Sequence, residues 1–288
     1  MSWRQSKLVR AVKRPLRRAI KALELGPFFQ APRSPHQAVN ALGIPLNANE
    51  QRLRRLKDRH RGQRGFVIGT GPSLRVADLD RLHGEVTLSC NRIYLAFDKT
   101  DWRPTYYSVY DSLVAEQDAQ TIRELSLPKI HGSRVQPLLD QQEALFVTDL
   151  TNPFDSEGEP RFPFSRNLLR GAYGGWTVTY LLLQIAFYLG LQEVYLVGID
   201  FSYSVPKATG SQTERGEVVV ASQGESNHFA ANYRSSGETW TIPRLDYQRS
   251  AYQAARAAFE KAGRVLGNAS RETKLDVIPR VDFDALFK

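Results

Sequence analysis

The sequence predicts a Rossmann-like α/β fold: a mostly parallel sheet flanked by helices, with a lid segment and a basic helical N-terminal extension. Three observations carry this prediction. From Gly65 onward, short apolar runs alternate with amphipathic stretches, as strands joined by helical crossovers do. The first run, Phe66-Val67-Ile68, opens into the turn Gly69-Thr70-Gly71-Pro72-Ser73. A long polar stretch over 201–245, punctuated by Gly210, Gly216, Gly224 and Gly237, comes after the apolar run Val194-Tyr195-Leu196-Val197. Ligands of open α/β sheets sit beyond the carboxyl ends of the strands, so this stretch is positioned as a lid.

Taken in order, residues 1–25 read as a basic amphipathic helix. Within 4–24, Val9, Val12, Leu16, Ile20 and Leu23 recur at helical spacing, and Arg10, Lys13, Arg14, Arg17, Arg18 and Lys21 cover much of the rest. Two placements suit such a helix: an anionic membrane surface, or the face of a protein body or second subunit. Residues 26–63 read as a linker and a basic helix: the linker, over 26–50, holds Pro27, Pro32, Pro35 and Pro45, and the helix is expected over Arg52–Arg64. The catalytic domain is expected over 64–288. Its strands are expected at Gly65–Gly69, Val86–Cys90, Thr105–Tyr110, Leu145–Thr148 and Glu193–Gly198. Helices are expected at Ser73–Leu82, Ser112–Leu125, Trp176–Leu189 and Asp246–Ala262.

Charge narrows the function. The first 64 residues hold 16 Lys or Arg against three acids, a net of +13, while the other 224 hold 23 basic and 27 acidic groups, a net of −4. A nucleic-acid-binding body would carry the basic face itself, so no nucleic-acid partner is expected. Cys90 stands alone, which excludes an internal disulfide and a cysteine-rich zinc site. The apolar run Tyr180–Leu191 is too short to span a membrane, and the basic N-terminus has no apolar core of a secretory signal. These features predict a cytoplasmic protein, peripheral at most on the inner membrane face.

The candidate chemistry collects at the strand ends. In the Gly69-Thr70-Gly71-Pro72-Ser73 turn, glycines let the backbone approach a phosphate, Pro72 suits a first helical turn, and Ser73 adds a hydroxyl. A plain tight turn would also explain the glycines. Asn91, after Val86–Cys90, offers a donor and an acceptor to a base or ribose, and Asp111, after Thr105–Tyr110, can hold a hydroxyl. Capping of the next segment accounts for either residue equally well. Asp200 closes the Glu193–Gly198 run as a metal ligand, a hydroxyl partner or a turn cap. His228 lies in the lid between Asn227 and Phe229, where an imidazole can serve as general base for a hydroxyl nucleophile. Tyr203 and Tyr233 of the same stretch can donate to a leaving phosphate. No metal site is expected: Asp78/Asp80 and Asp282/Asp284 lack strand context, and no His pair or Cys pair suggests zinc.

Together, Phe66–Leu74, Cys90–Leu95, Tyr106–Asp111, Tyr173–Tyr203 and Asn227–Phe229 resemble the 6-hydroxymethylpterin diphosphokinase-like (MptE-like) family, over roughly residues 64–287. That family's central domain is similar to the motility-associated flagellin glycosyltransferases and the small bacterial CMP-sialyltransferases. The resemblance implies a transferase. Carried over by position, Gly69, Thr70, Gly71 and Ser73 would meet a nucleotide phosphate, with Asn91 and Asp200 beside the nucleotide. His228 falls on the sialyltransferases' catalytic histidine, and Tyr203 on a lid tyrosine, offset by one residue. Asp111 stands where those enzymes have an asparagine. The favoured expectation is a glycosyltransferase with a CMP-linked donor, a glycan or glycolipid acceptor and no required cofactor. The diphosphokinase members imply the alternative, pyrophosphoryl transfer from Mg-ATP, with Asp111 and Asp200 toward Mg²⁺. A non-catalytic nucleotide- or partner-binding protein is the third reading.

Overall fold

The computed structural model describes residues 34–205, 211–212, 218–224 and 226–288. The amphipathic helix expected over 4–24 lies outside the described residues, as does the first part of the 26–50 linker. The chain divides after Ala38; residues 34–38 are the described part of one unit, and Val39–Lys288 form the body.

In chain order, α1 (Pro35–Ala41) and α2 (Ala48–Leu56) precede β1 (Arg64–Ile68), α3 (Val76–Asp80), β2 (Val86–Cys90), a 3-10 segment over Asn91–Ala96, and β3 (Tyr106–Ser108). Then come α4 (Ser112–Gln117), α5 (Ala119–Glu124), β4 (Ile130–Gly132), α6 (Gln136–Leu139), β5 (Leu145–Val147), β6 (Asp149–Leu150) and β7 (Ala172–Tyr173). The second half holds α7 (Val178–Tyr188), β8 (Glu193–Val197), β9 (Ser211–Gln212), β10 (Val218–Ala221), β11 (Thr239–Thr241), α8 (Leu245–Lys261) and β12 (Val265–Asn268).

Five strands form a wholly parallel sheet in the order β12-β8-β1-β2-β3. A bridge between Tyr107 and Lys129 carries it on toward the β4–β5 pair. Successive side chains of a strand point to opposite faces, which sorts the core into two layers. Val67, Val194 and Leu196 meet α7 and α8 on one face, while Phe66, Ile68, Tyr195 and Val197 pack with Leu79, Ile93 and Trp102 on the other. Helix α7 is buried at every position after Val178, so its apolar run Tyr180–Tyr188 is core rather than membrane. Among the described residues no helix is long and apolar enough to cross a membrane. The chain builds outward from β1 through β2 to β3, then returns to place β8 on the other side of β1. The strand order therefore switches between β1 and β8, where ligand crevices form in such sheets.

Several elements differ from their expected bounds. The helix expected at Ser73–Leu82 is only α3, because Pro72–Arg75 form a turn whose Ser73 amide is held by Asp200 at 2.7 Å. The helix expected at Ser112–Leu125 breaks at Asp118, whose carboxylate is drawn to Arg92 at 2.6 Å. The basic helix expected over Arg52–Arg64 is α2, started by Asn47, which accepts the Glu50 N–H at 2.9 Å. After it, turns over 57–62 bind the end of α7, with the His60 N–H donating to the Leu189 carbonyl at 2.8 Å. Leu53 and Leu56 enter the core, so this helix is part of the body. The lid carries its own antiparallel sheet, β11-β10-β9, where the polar composition predicted little structure.

Candidate active site

A cavity of about 910 Å³ opens at the switch point, beyond the carboxyl ends of β1, β2 and β8. Of the residues singled out in the sequence, Gly69, Thr70, Gly71, Asn91, Asp111, Asp200, Tyr203 and His228 all line it. Ser73 does not.

The turn after β1 is zipped to the turn after β8. The Gly69 N–H donates to the Val197 carbonyl at 2.8 Å, and the Gly71 N–H to the Gly198 carbonyl at 2.9 Å. A Cβ on Gly69 would stand 2.6 Å from the Gly198 oxygen, and one on Gly71 would meet the Asp200 carboxylate and the Gly198 oxygen at 2.8 Å. Close approach of two backbones is thus what requires glycine here. Asp200 closes the zip, accepting the Ser73 N–H at 2.7 Å on one oxygen and the Ser73 hydroxyl on the other. Burial raises the Asp200 pKa, while the bonds from Ser73 pull the other way.

A phosphate approaching this turn meets amides that are largely in use. The N–H groups of Gly69, Gly71 and Ser73 already have acceptors within the fold, and the helix after it is one short turn. The turn offers the cavity a close, flat wall rather than a row of free donors. Gly71→Ala is expected to destabilise the fold by about 1–3 kcal/mol through overpacking against Asp200, read as a lower midpoint in urea at unchanged slope.

Asn91 follows β2 in a left-handed conformation, φ 49°, and Tyr107 donates its hydroxyl to the Asn91 carbonyl at 2.7 Å. The Asn91 Oδ1 is buried without a hydrogen-bond partner, and so is the Arg134 Nε at the same cavity. Each such group costs about 1–3 kcal/mol if left unmet, a cost that water or a polar ligand in the cavity removes. Asp111 lines the cavity and also caps α4, accepting the Leu113 N–H at 2.9 Å.

The lid is docked rather than loose. Its Phe229 N–H donates to the Thr70 carbonyl at 3.0 Å, and the Tyr233 hydroxyl meets the Thr70 hydroxyl at 3.1 Å. The His228 ring lies flat on Tyr233, with centroids 3.6 Å apart and planes within 6°. Burial pushes the Tyr233 phenol well above its ordinary pKa, keeping it neutral. Asn227 grips the backbone of Ser204, accepting its N–H at 2.7 Å and donating to its carbonyl at 3.0 Å. Tyr203 thereby stays at the cavity mouth, 37 % exposed. Behind the lid, buried Arg92 donates to the Tyr233 carbonyl, to Asp118 at 2.6 and 2.9 Å, and pairs with Glu238 at 2.5 Å.

The sequence profile of the family described as 6-hydroxymethylpterin diphosphokinase MptE-like matches residues 44–206, more than half of the chain. The chain belongs to the MptE-like family. The match takes in the Gly69–Gly71 turn, Asn91, Asp111, Asp200 and Tyr203, and stops short of His228. No curated protein sequence matches the chain. Solved structures to which this MptE-like chain is similar include the MAf glycosyltransferase of Magnetospirillum magneticum AMB-1, at 14 % identity and a TM-score of 0.43 over 85 % of this chain. The chain spans only 40 % of that enzyme's length. A sialyltransferase from Campylobacter jejuni, solved with a CMP-linked substrate analogue, aligns at 16 % identity and a TM-score of 0.34, covering 76 % of this chain and 86 % of its own. A mammalian sialyltransferase aligns at 11 % identity and a TM-score of 0.39, covering 85 % and 82 %.

Residues lining this MptE-like site that were not singled out in the sequence include Arg134, Trp176 and Arg234. Trp176 lines the cavity with φ 54° and Phe201 with φ 55°, so three non-glycine residues in left-handed conformations, Asn91 included, border one cavity. Such backbone persists where surrounding contacts enforce it, and it clusters at functional sites. Arg234 lies 4.7 Å from the centroid of Trp240, and both face the cavity. Among the described residues, no group of three or more His, Cys, Asp or Glu side chains is arranged to hold a metal.

Proposed function

We propose that this MptE-like protein is a glycosyltransferase that binds a nucleotide-activated sugar in the switch-point cavity, with His228 as general base. The observation that carries the reading is the stacking of His228 on Tyr233, itself tied to Thr70 of the turn. An imidazole fixed over the wall of a polar cavity suits deprotonation of a hydroxyl. In the step, the acceptor oxygen forms a bond to the anomeric carbon as the bond from that carbon to the phosphate oxygen breaks. The acceptor proton goes to His228, and the electron pair leaves on the phosphate. Tyr203 is assigned as a hydroxyl donor to that phosphate. Asn91 is assigned to the nucleotide, beside Asp111 and the wall of Gly69, Thr70 and Gly71. Asp200, at the cavity, holds Ser73 behind it and so keeps the two turns together. A cytidine nucleotide is the first candidate, because the Gly-x-Gly-Pro-Ser-Leu turn resembles that of the CMP-sialyltransferases. The acceptor is taken as a surface glycan or glycolipid precursor, met at an anionic membrane surface through residues 4–24.

The family description favours a second reading, pyrophosphoryl transfer from Mg-ATP to a pterin alcohol. Its Mg²⁺ would be held by Asp111 and Asp200 together with the substrate phosphates; each carboxylate already accepts a hydrogen bond within the fold, Asp111 from Leu113 and Asp200 from Ser73.

A thermal-shift titration with CMP, CTP, UDP, GDP and ATP, each with and without Mg²⁺, separates the readings. A ligand at a hundredfold excess over its dissociation constant stabilises the fold by about 2.7 kcal/mol. Stabilisation by cytidine nucleotides without metal is expected. A response confined to Mg-ATP would replace glycosyl transfer with the diphosphokinase reading, and no response to any nucleotide would sink both.

A further inference from the structure

Part of the cavity lining is aromatic: Phe154, Trp176 and Tyr247 all border it, with Arg244 against Tyr247. Phe154 is 64 % exposed, yet it is held in a tight hairpin. It bridges Pro160 across an antiparallel pair, and Asp155 closes the tip by accepting the N–H groups of Glu157 and Glu159 at 3.0 and 2.9 Å. The Tyr247 hydroxyl donates to Glu159 at 3.1 Å, which ties the hairpin to α8. Trp176 is held in its left-handed conformation by Gln248, whose side-chain amide donates to the Trp176 carbonyl at 2.8 Å.

A concave cavity lined by aromatic side chains with a few placed polar groups is the feature that marks a binding surface. The ring geometry narrows what binds. Trp176 and Tyr247 meet at 4.9 Å and 69°, and Phe162 meets Trp176 at 5.8 Å and 80°. These rings form a corner, not a parallel slot for a flat heterocycle. Arg244 lies 3.8 Å from the centroid of Tyr247, with its Nε and one terminal nitrogen bound to Asp246 at 3.1 and 2.7 Å. This fixes the guanidinium so that its remaining N–H groups are the hydroxyl-binding donors beside the apolar surface. An apolar C–H face bordered by hydroxyls is the chemistry of a pyranose ring.

We propose that Phe154, Trp176 and Tyr247 form the acceptor subsite, and that it receives a sugar ring lying with its C–H face on the aromatic corner. This assignment rests on the glycosyltransferase reading for its word "acceptor"; the sugar-binding claim itself does not.

Saturation-transfer difference NMR on the full chain tests it, with methyl β-galactopyranoside, N-acetylglucosamine and lactose as probes and 6-hydroxymethylpterin as the counter-probe. At least one saccharide is expected to receive saturation at its ring C–H protons. Phe154→Ala and Tyr247→Ala are each expected to weaken that binding about 3- to 10-fold, the range of one aromatic contact. Phe154 is exposed, so its variant keeps the fold even where Tyr247→Ala does not. Three results would overturn the subsite: no saccharide signal, a signal undiminished in both variants, or a signal from the pterin alone. A missing nucleotide shift beside a Phe154-dependent saccharide signal would sink the donor reading and uphold the sugar site.

Discussion

Replacing His228 by alanine is expected to lower sugar transfer about 10²- to 10⁴-fold, the contribution of a positioned general base, while the nucleotide-induced thermal shift stays. The expectation comes from where the ring is held. His228 is fixed by its partner ring Tyr233 and by the Phe229 amide on Thr70, so it belongs to the lid's contact with the turn. A base acts on the acceptor hydroxyl, so its loss should fall on turnover and spare donor affinity. His228→Gln keeps a planar group on Tyr233 and separates packing from proton transfer. If glutamine restored full turnover, the imidazole would be a packing element only. If alanine abolished the nucleotide shift as well, His228 would be a binding group and the assigned base would be wrong.

The largest stability effect is expected at Arg92. Its guanidinium is buried among Asp118, Glu238 and the Tyr233 carbonyl, and these partners more than offset the burial that would otherwise lower its pKa. Arg92→Met leaves Asp118 and Glu238 without the guanidinium between them, a change that costs about 3–5 kcal/mol for a buried network. The melting temperature should fall by about 6 °C or more. Because Arg92 also holds Tyr233 and Glu238, the lid should become the first part to exchange its amides. The pH dependence has a defined sign. Burial alone would raise the Glu238 pKa, but Arg92 and the Ser235 N–H hold it below its ordinary 4.5. The pair's stabilisation is therefore complete above pH 4.5 and is lost as pH falls through the lower folded value. Urea unfolding between pH 3 and 7 should show that loss in the native protein and a weaker one in Arg92→Met. Equal pH dependence in both would remove Arg92 from this role.

Much of this site was legible because open α/β sheets put ligands at the carboxyl ends of strands. The residues directly after the apolar runs include the Gly69–Gly71 wall, Asn91, Asp111 and Asp200, and the polar stretch over 201–245 holds His228. What those residues do to one another was not legible. Nothing near Ser73 announces that its amide and hydroxyl bind Asp200, 127 residues later, and the turn's pattern equally suits a free donor row. Arg92 stands next to Asn91, but a lone arginine in a short helical segment carries no local sign of the partners Asp118 and Glu238. The hairpin bearing Phe154 reads as a polar surface loop until the cavity places its aromatic ring. The boundaries of α3, α4 and α5 were missed for the same reason: each is set by a side chain from elsewhere in the chain.

The zip between the turns after β1 and β8 also fixes when the site can exist. Its bonds join residues 127 apart, so the cavity has no wall until β8 and Asp200 have been synthesised and paired. Until then β1 presents the edge it will later give to β8. Pairings of such high contact order form slowly, and an exposed parallel edge is open to wrong partners meanwhile. Refolding yield should depend more on chain concentration than on final stability, and the ability to bind nucleotide should be the last property to return.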